Sequence, residues 1–282
     1  MDTHTTHVSQ AVQVMAITSG KGGVGKTTAS VNLAAALKQL GRSVMIMDAD
    51  LGLANIDVML GLKPKYNLSH VLEGERTLND VIVKGPQDLL IVPAASGIQA
   101  MSELSSAEHQ GLIHAFSHIG QEIDTLIIDT AAGLSDAVTS FCKAAHEVVV
   151  VVTDEPASMA DAYALIKVLN CDHGVNRFRI LTNMVESELS GFMLYRQLLS
   201  VTDRFLDVNL DHMGSVPRDQ YQQKAVRRQA LVCEAFPRSK ATRAWNQLAG
   251  KVETWLMDEQ PSGKLEFFFE RLFTQERIME VA

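Results

Sequence analysis

The sequence predicts an α/β fold: a single doubly wound, mostly parallel sheet of about seven to eight strands with helices on both faces. Three observations predict it. Short apolar runs alternate along the chain with longer stretches of helical spacing. Several runs are apolar at every position, as in strands covered on both sides. Aspartates and an asparagine stand directly after these runs, at the strand ends where open α/β sheets gather ligands.

Met1–Ala11 is polar and reads as a disordered tail (1–11), without the basic and apolar regions of a secretory signal. His4 and His7 have no further ligands nearby and do not make a metal site. Val12–Thr18 is the first strand and Thr28–Leu40 the first helix. Between them lies Gly20-Lys21-Gly22-Gly23-Val24-Gly25-Lys26-Thr27-Thr28. This matches the G-x-x-x-x-G-K-T phosphate loop in its proper strand–loop–helix setting. Its glycines let backbone N–H groups curl around phosphate oxygens, and the helix N-terminus adds positive charge. Lys21 is a second lysine, which an ordinary loop of this kind does not need.

Ser43–Met47 is the second strand and runs into Asp48 and Asp50. Two carboxylates after a buried strand are costly unless they serve a cation or a hydrogen-bond network. One can hold the water shell of a Mg²⁺ ion and the other can orient an attacking water. Leu68–Leu72 and Leu78–Val83 read as short helical or irregular pieces, and Asp88–Val92 as the third strand. Ser105–Ile119 has helical spacing; His114 and His118 on it lack a third ligand and read as surface residues. Asp124–Ile128 is the fourth strand and enters Asp129-Thr130-Ala131-Ala132-Gly133. Asp129 reads as a Mg²⁺-shell carboxylate, and Gly133 as the point where backbone approaches the γ-phosphate. A helix at Leu134–Ala145 follows.

Glu147–Thr153 is the fifth strand, and a helix from about Ala157 to Leu169 follows Asp154-Glu155-Pro156. Phe178–Leu181 is the sixth strand, ending at Asn183; Ser187–Phe205 is helical; His212–Val216 is the seventh, ending at Pro217-Arg218-Asp219. A guanine reader carries N-K-x-D at the first of these ends. Asn183-Met184-Val185-Glu186 has neither the lysine nor the aspartate, which favours adenine. Pro217–Arg243 holds seven basic side chains against two acidic ones, a docking face for an acidic partner or DNA, or simply a solvated helix face. After Pro261-Ser262-Gly263, residues Leu265, Phe268, Phe269, Leu272 and Phe273 share one face of a C-terminal amphipathic helix (261–282). That face can lie in a membrane interface or dock in a groove of the protein. The domain between the two tails spans 12–260.

Composition narrows the classes. The 282 residues are 46% hydrophobic with a formal charge of −8 and a pI near 5.6, which argues against direct DNA binding. Three scattered cysteines without C-x-x-C give no disulfide framework or zinc site and suit a reducing cytoplasm. No apolar run is long enough to span a membrane.

The loop with Lys21 resembles the deviant Walker A box of the MinD/ParA class. The stretches Met47–Gly61, Val92–Gly97, Asp129–Gly133, Ala160–Lys167, Val201–Leu206, Ala235–Ser239 and Leu265–Leu272 are similar to the FlhG/FleN family, MinD-type ATPases that set flagellar number. The resemblance runs from about Val12 to Leu272 and implies the following. The chain is an ATP- and Mg²⁺-dependent ATPase that dimerises with ATP. Gly22, Gly23, Val24, Gly25, Lys26, Thr27 and Thr28 cradle the phosphates; Thr27, Asp48 and Asp129 surround the metal; Asp50 positions water. Lys21 reaches across the dimer, with Glu155 and Asp161 at the face that holds it. Asn183 and the backbone of Pro217, Arg218 and Asp219 face the base. Implied partners are a FleQ-type transcription activator, an FlhF-type GTPase and flagellar C-ring proteins, with reversible contact at the inner membrane face and a polar location. Met1–Gln13 lacks the Asp-Gln-Ala-x-x-Leu-Arg segment with which many members stimulate the GTPase, which shifts weight to the activator. The competing readings are a ParA-type DNA-partition ATPase, a MinD-type division-site ATPase, a cluster-bridged electron donor, for which only Cys142 stands near the second switch, and a module whose nucleotide only stabilises the fold.

Overall fold

The structure, a computed structural model, describes residues 12–50, 53–94, 106–117, 119, 123–255 and 267. Its strands are β1 (Gln13–Ser19), β2 (Val44–Ala49), β3 (Val83–Lys84), β4 (Leu90–Val92), β5 (Thr125–Ala132), β6 (Glu147–Val152), β7 (Arg177–Val185) and β8 (Asn209–Pro217). They form one eight-stranded sheet in the order β3-β4-β2-β5-β1-β6-β7-β8. Every pairing is parallel except β3 with β4.

The helices are α1 (Lys26–Gln39), α2 (Ile56–Leu60), α3 (Leu68–Leu72), α4 (Leu78–Val81), α5 (Ser106–Ser117), α6 (Asp136–Ala144), α7 (Pro156–Cys171), α8 (Glu188–Phe205), α9 (Gln220–Arg227), α10 (Val232–Ala235) and α11 (Lys240–Val252). Strand alternation assigns them to layers. Met15, Ile17, Val149 and Val151 face a core with Leu33, Leu37, Trp245 and Leu248 from α1 and α11. Their neighbours Val14, Ala16, Val148, Val150 and Val152 face the other side. There they meet Phe116 and Phe141 of α5 and α6, and Leu165 and Leu198 of α7 and α8. Helix starts follow local chemistry: Ser135, Ser187 and Ser239 cap α6, α8 and α11 through backbone N–H groups, and Pro156 opens α7.

The predicted fold class is the observed one. Several boundaries differ: β5 runs on to Ala132, β8 starts at Asn209 rather than His212, and α6 starts at Asp136 rather than Leu134. The piece expected over Leu78–Val83 ends at Val81, and Val83–Lys84 instead turns antiparallel onto β4. Gln87 and Asp88, both with φ near +55°, make that reversal, so Asp88 lies before the strand. β7 continues past Leu181, because Val185 pairs with Pro217 beyond an irregularity at Met184 (φ +55°).

The expected N-terminal tail and Leu265, Phe268, Phe269, Leu272 and Phe273 lie outside the described residues. Phe267 is described and fully buried. Its ring meets Phe116 edge-on at 5.3 Å and lies 6.4 Å from Phe141. Among the described residues no helix is long and apolar enough to cross a membrane.

Candidate nucleotide site

The site collects at the C-terminal ends of β1, β2, β5, β7 and β8. The loop leaving β1 places Gly23 and Gly25 at φ +79° and +94°, a region open to glycine. A side chain on Gly25 would collide with Asn183 Nδ2, and one on Gly20 with the backbone of Asp161. Asn183 Nδ2 donates to the Val24 carbonyl at 2.8 Å, tying the end of β7 to the loop. α1 starts at Lys26 with no side chain capping its first turn and no acidic residue there. Its leading amides therefore have no protein acceptor, which fits a phosphate at that end.

Asp48 and Asp129 are register partners on β2 and β5, and both are buried. Asp48 Oδ1 accepts from Asp50 N at 3.1 Å, and its Oδ2 accepts from Asn55 N at 2.9 Å and Ile56 N at 3.1 Å. It thereby ties Asp50, Asn55 and Ile56 to the end of β2. Asp129 accepts from Ser30 Oγ at 2.8 Å and from the Thr27 side chain. Burial pushes both carboxyls above the ordinary range; Asp129 pushes Asp48 further, while Thr27, Ser30 and Lys26 pull Asp129 back. Burial lowers the Lys26 ammonium, and Asp129 and Asp50 oppose that. Two adjacent buried carboxylates beside a threonine hydroxyl suit a hard divalent cation that keeps most of its shell as water and phosphate oxygen. Among the described residues no three His, Cys, Asp or Glu converge into an all-protein cage. Asp50 is half-buried at the mouth, and its Oδ1 accepts from Leu53 N at 3.1 Å.

Beyond the loop lies a cavity of about 410 Å³. Gly23, Gly25 and Thr28 form one wall; Asn183, Pro217, Arg218 and Asp219, the residues expected to face a base, form another. Asp219 Oδ1 caps α9 through Tyr221 N, and its Oδ2 accepts from Ala241 N, which joins α9 to α11. Gln222, Gln223, Val226 and Arg227 of α9 and Trp245 of α11 complete the lining. The sequence reading did not name these, nor Ser30. Ser30 stands one turn past Lys26, and Gln222 three residues past Asp219, so helical spacing alone could have nominated both.

Gly133 has φ +97° and donates its N–H to the Ser19 carbonyl at 2.9 Å. Lys21 Nζ reaches Glu155 Oε2 of the same chain at 2.5 Å; the Glu155 side chain is exposed and that of Lys21 partly so. Gly20 packs on the Asp161 backbone, so Lys21, Glu155 and Asp161 form one cluster at the rim.

A family model described as "AAA domain" matches residues 12–176. The chain is 58% identical over 261 residues to the antiactivator FleN of Pseudomonas aeruginosa, covering 93% of each chain. It is 34% identical to the flagellum site-determining protein YlxH of Helicobacter pylori, covering 92% of this chain and 88% of that one. The chain belongs to the FleN family of MinD-type P-loop ATPases. Its fold is that of the septum site-determining protein MinD from Pyrococcus horikoshii, solved with Mg-ADP. The TM-score is 0.72 at 23% identity, covering 86% of this chain and 96% of the other. FleN-family membership makes the chain an ATPase that uses ATP and Mg²⁺, as the resemblance implied.

Proposed function

We propose that the chain is a slow regulatory ATPase whose ATP-bound dimer limits flagellar number by antagonising a FleQ-type transcription activator. The observation that carries this reading is the Lys21–Glu155 pair on the rim of the phosphate loop. A lysine that a self-sufficient phosphate site does not need is held exposed where a second copy can take it up. The relatedness to an antiactivator supports the choice of target.

In this reading Lys26 and the amides of Gly22–Thr28 hold the phosphates. Thr27, Asp48 and Asp129 hold Mg²⁺, which supplies charge neutralisation during phosphoryl transfer. Asp50 orients the attacking water, and Lys21 stabilises charge on the partner's phosphates. Asn183 and the backbone of Pro217–Asp219 seat the base, and Gly133 keeps the second switch against β1. Partnership with an FlhF-type GTPase and C-ring proteins, and a place at the inner membrane face near the pole, belong to the same proposal. The buried seat of Phe267 supports the groove over lipid as the resting place of the C-terminal segment.

Size-exclusion chromatography with ATP, ADP and no nucleotide, followed by capture of the activator, tests the reading. An ATP-dependent dimer that alone retains the activator is expected, and Asp50→Ala should hold that dimer indefinitely. A monomer under all conditions, or activator binding indifferent to nucleotide, overturns it. Vesicle flotation with ATP and ADP tests the membrane contact.

A further inference from the structure

Pro217–Arg243 carries seven basic side chains against two acidic ones, and the fold does not spread them evenly. Arg218, Arg238, Lys240 and Arg243 line one open pocket of about 370 Å³, with Asp219 and Tyr221 in its wall. The pocket lies where α9 and α11 begin. Asp219 Oδ1 accepts from Tyr221 N at 2.8 Å and Oδ2 from Ala241 N at 2.9 Å, so both oxygens of the one carboxylate in the lining are occupied by backbone. The positive ends of two helices add to the four cations. Those four side chains are exposed, and among the described residues none of them makes an ion pair or a hydrogen bond. Lys21, Arg42, Arg177 and Arg179, by contrast, each find a carboxylate of the chain. Like charges gathered without a counter-charge raise the local potential and draw in anions. Tyr221 adds an exposed ring, packed on Phe236 at a centroid distance of 4.9 Å.

We propose that this pocket docks an acidic segment of a partner protein, its carboxylates taken by Arg218, Arg238, Lys240 and Arg243 and an apolar side chain between them lying on Tyr221. The shape selects among anions. Small phosphates are held by cradles of backbone amides, as at the loop after β1, whereas the donors here are long side chains around an open mouth. Duplex nucleic acid asks for a stripe of cations along its backbone, and the chain as a whole carries −8. Arginine forks around an aromatic ring suit carboxylates on an extended peptide. The proposal goes beyond the regulatory reading above, which assigns no docking surface, and does not depend on which protein is the target.

Fluorescence anisotropy of a labelled Glu-Glu-Leu-Glu-Glu peptide, titrated with the full chain in Mg-ADP, tests the proposal. Wild type should bind the peptide. The double variant Arg238→Glu with Arg243→Glu should weaken binding about tenfold, the sum of two lost exposed ion pairs. Lys84→Glu with Lys143→Glu makes the same change in net charge at exposed sites outside the pocket and should bind as wild type. Both double variants should melt with wild type and bind ADP alike, because the changed side chains are exposed and none lines the nucleotide cavity. No binding by wild type, or an equal loss in both double variants, overturns the proposal. A labelled DNA duplex, or pyrophosphate as competitor, that takes this pocket more tightly than the peptide overturns the choice of ligand.

Discussion

Lys21 and Glu155 of one chain are joined at the rim of the phosphate loop, Nζ to Oε2 at 2.5 Å, by a contact from the loop after β1 to the residue that caps α7. Lys21 holds the Glu155 carboxyl below its usual range, and Arg218 adds to that. The pair is exposed, so its removal should leave the melting temperature unchanged. If Lys21 completes the partner's site, Lys21→Ala should keep ATP affinity while turnover falls on the order of 10³-fold, as when an arginine finger is lost. Binding by titration and phosphate release measured together check this; wild-type turnover in the variant refutes the role.

Gly25→Ala combines a left-handed backbone with a collision at Asn183 Nδ2. The backbone alone costs about 1–2 kcal/mol. The variant should melt several degrees lower and lose measurable nucleotide binding, whereas Gly22→Ala, whose added Cβ meets nothing nearby, should fold as wild type. Thermal melts with and without Mg-ADP separate the two effects.

Asp48→Asn tests the buried carboxylate pair. Raised carboxyl pKa values mean that the fold favours the protonated forms, so nucleotide-free protein should lose stability as pH rises above the ordinary carboxylate range. The asparagine oxygen can keep the bonds from Asn55 N and Ile56 N, while its amide nitrogen loses the one from Asp50 N. It should therefore flatten the pH dependence without nucleotide and abolish the extra stabilisation from Mg²⁺. Denaturant melts at pH 6 and pH 8 decide this; an unchanged pH slope counts against it.

Arg179 has a purely architectural assignment. It forks onto buried Glu147 at 2.9 and 3.1 Å, reaches Asp211 at 2.7 Å and lies over the Trp255 ring at 4.5 Å. Arg179→Met strands Glu147 and should cost about 3–5 kcal/mol in urea unfolding. Adding Glu147→Leu should recover much of that loss. ATP affinity should be unchanged in the double variant, because this network sits near the start of β7 and the nucleotide site at its end.

Legibility followed the range of the determining contacts. The phosphate loop was readable because glycine spacing is itself the geometry. Asp48, Asp129 and Asn183 were readable because each directly follows an apolar run. β3 was not: two residues carry no period, and only pairing with β4 makes them a strand. Helix α9 hid behind its charge, since Gln220–Arg227 has only Ala225 fully buried. The coupling of Gln222 to Trp245 joins residues 23 positions apart on different helices, and no local pattern announces it.

The central strand carries a consequence for how the chain is made. Met15 of β1 lies between Ile127 of β5 and Glu147 of β6, both more than a hundred residues further along. During synthesis the phosphate loop therefore emerges long before the strands that flank its own, and the base wall at Pro217–Gln222 comes later still. Such a sequence-distant sheet closes slowly. Nucleotide that binds only the closed sheet then acts as a late fastener, raising global stability with its concentration. The same molecule that would set the dimer also certifies that the protomer is finished.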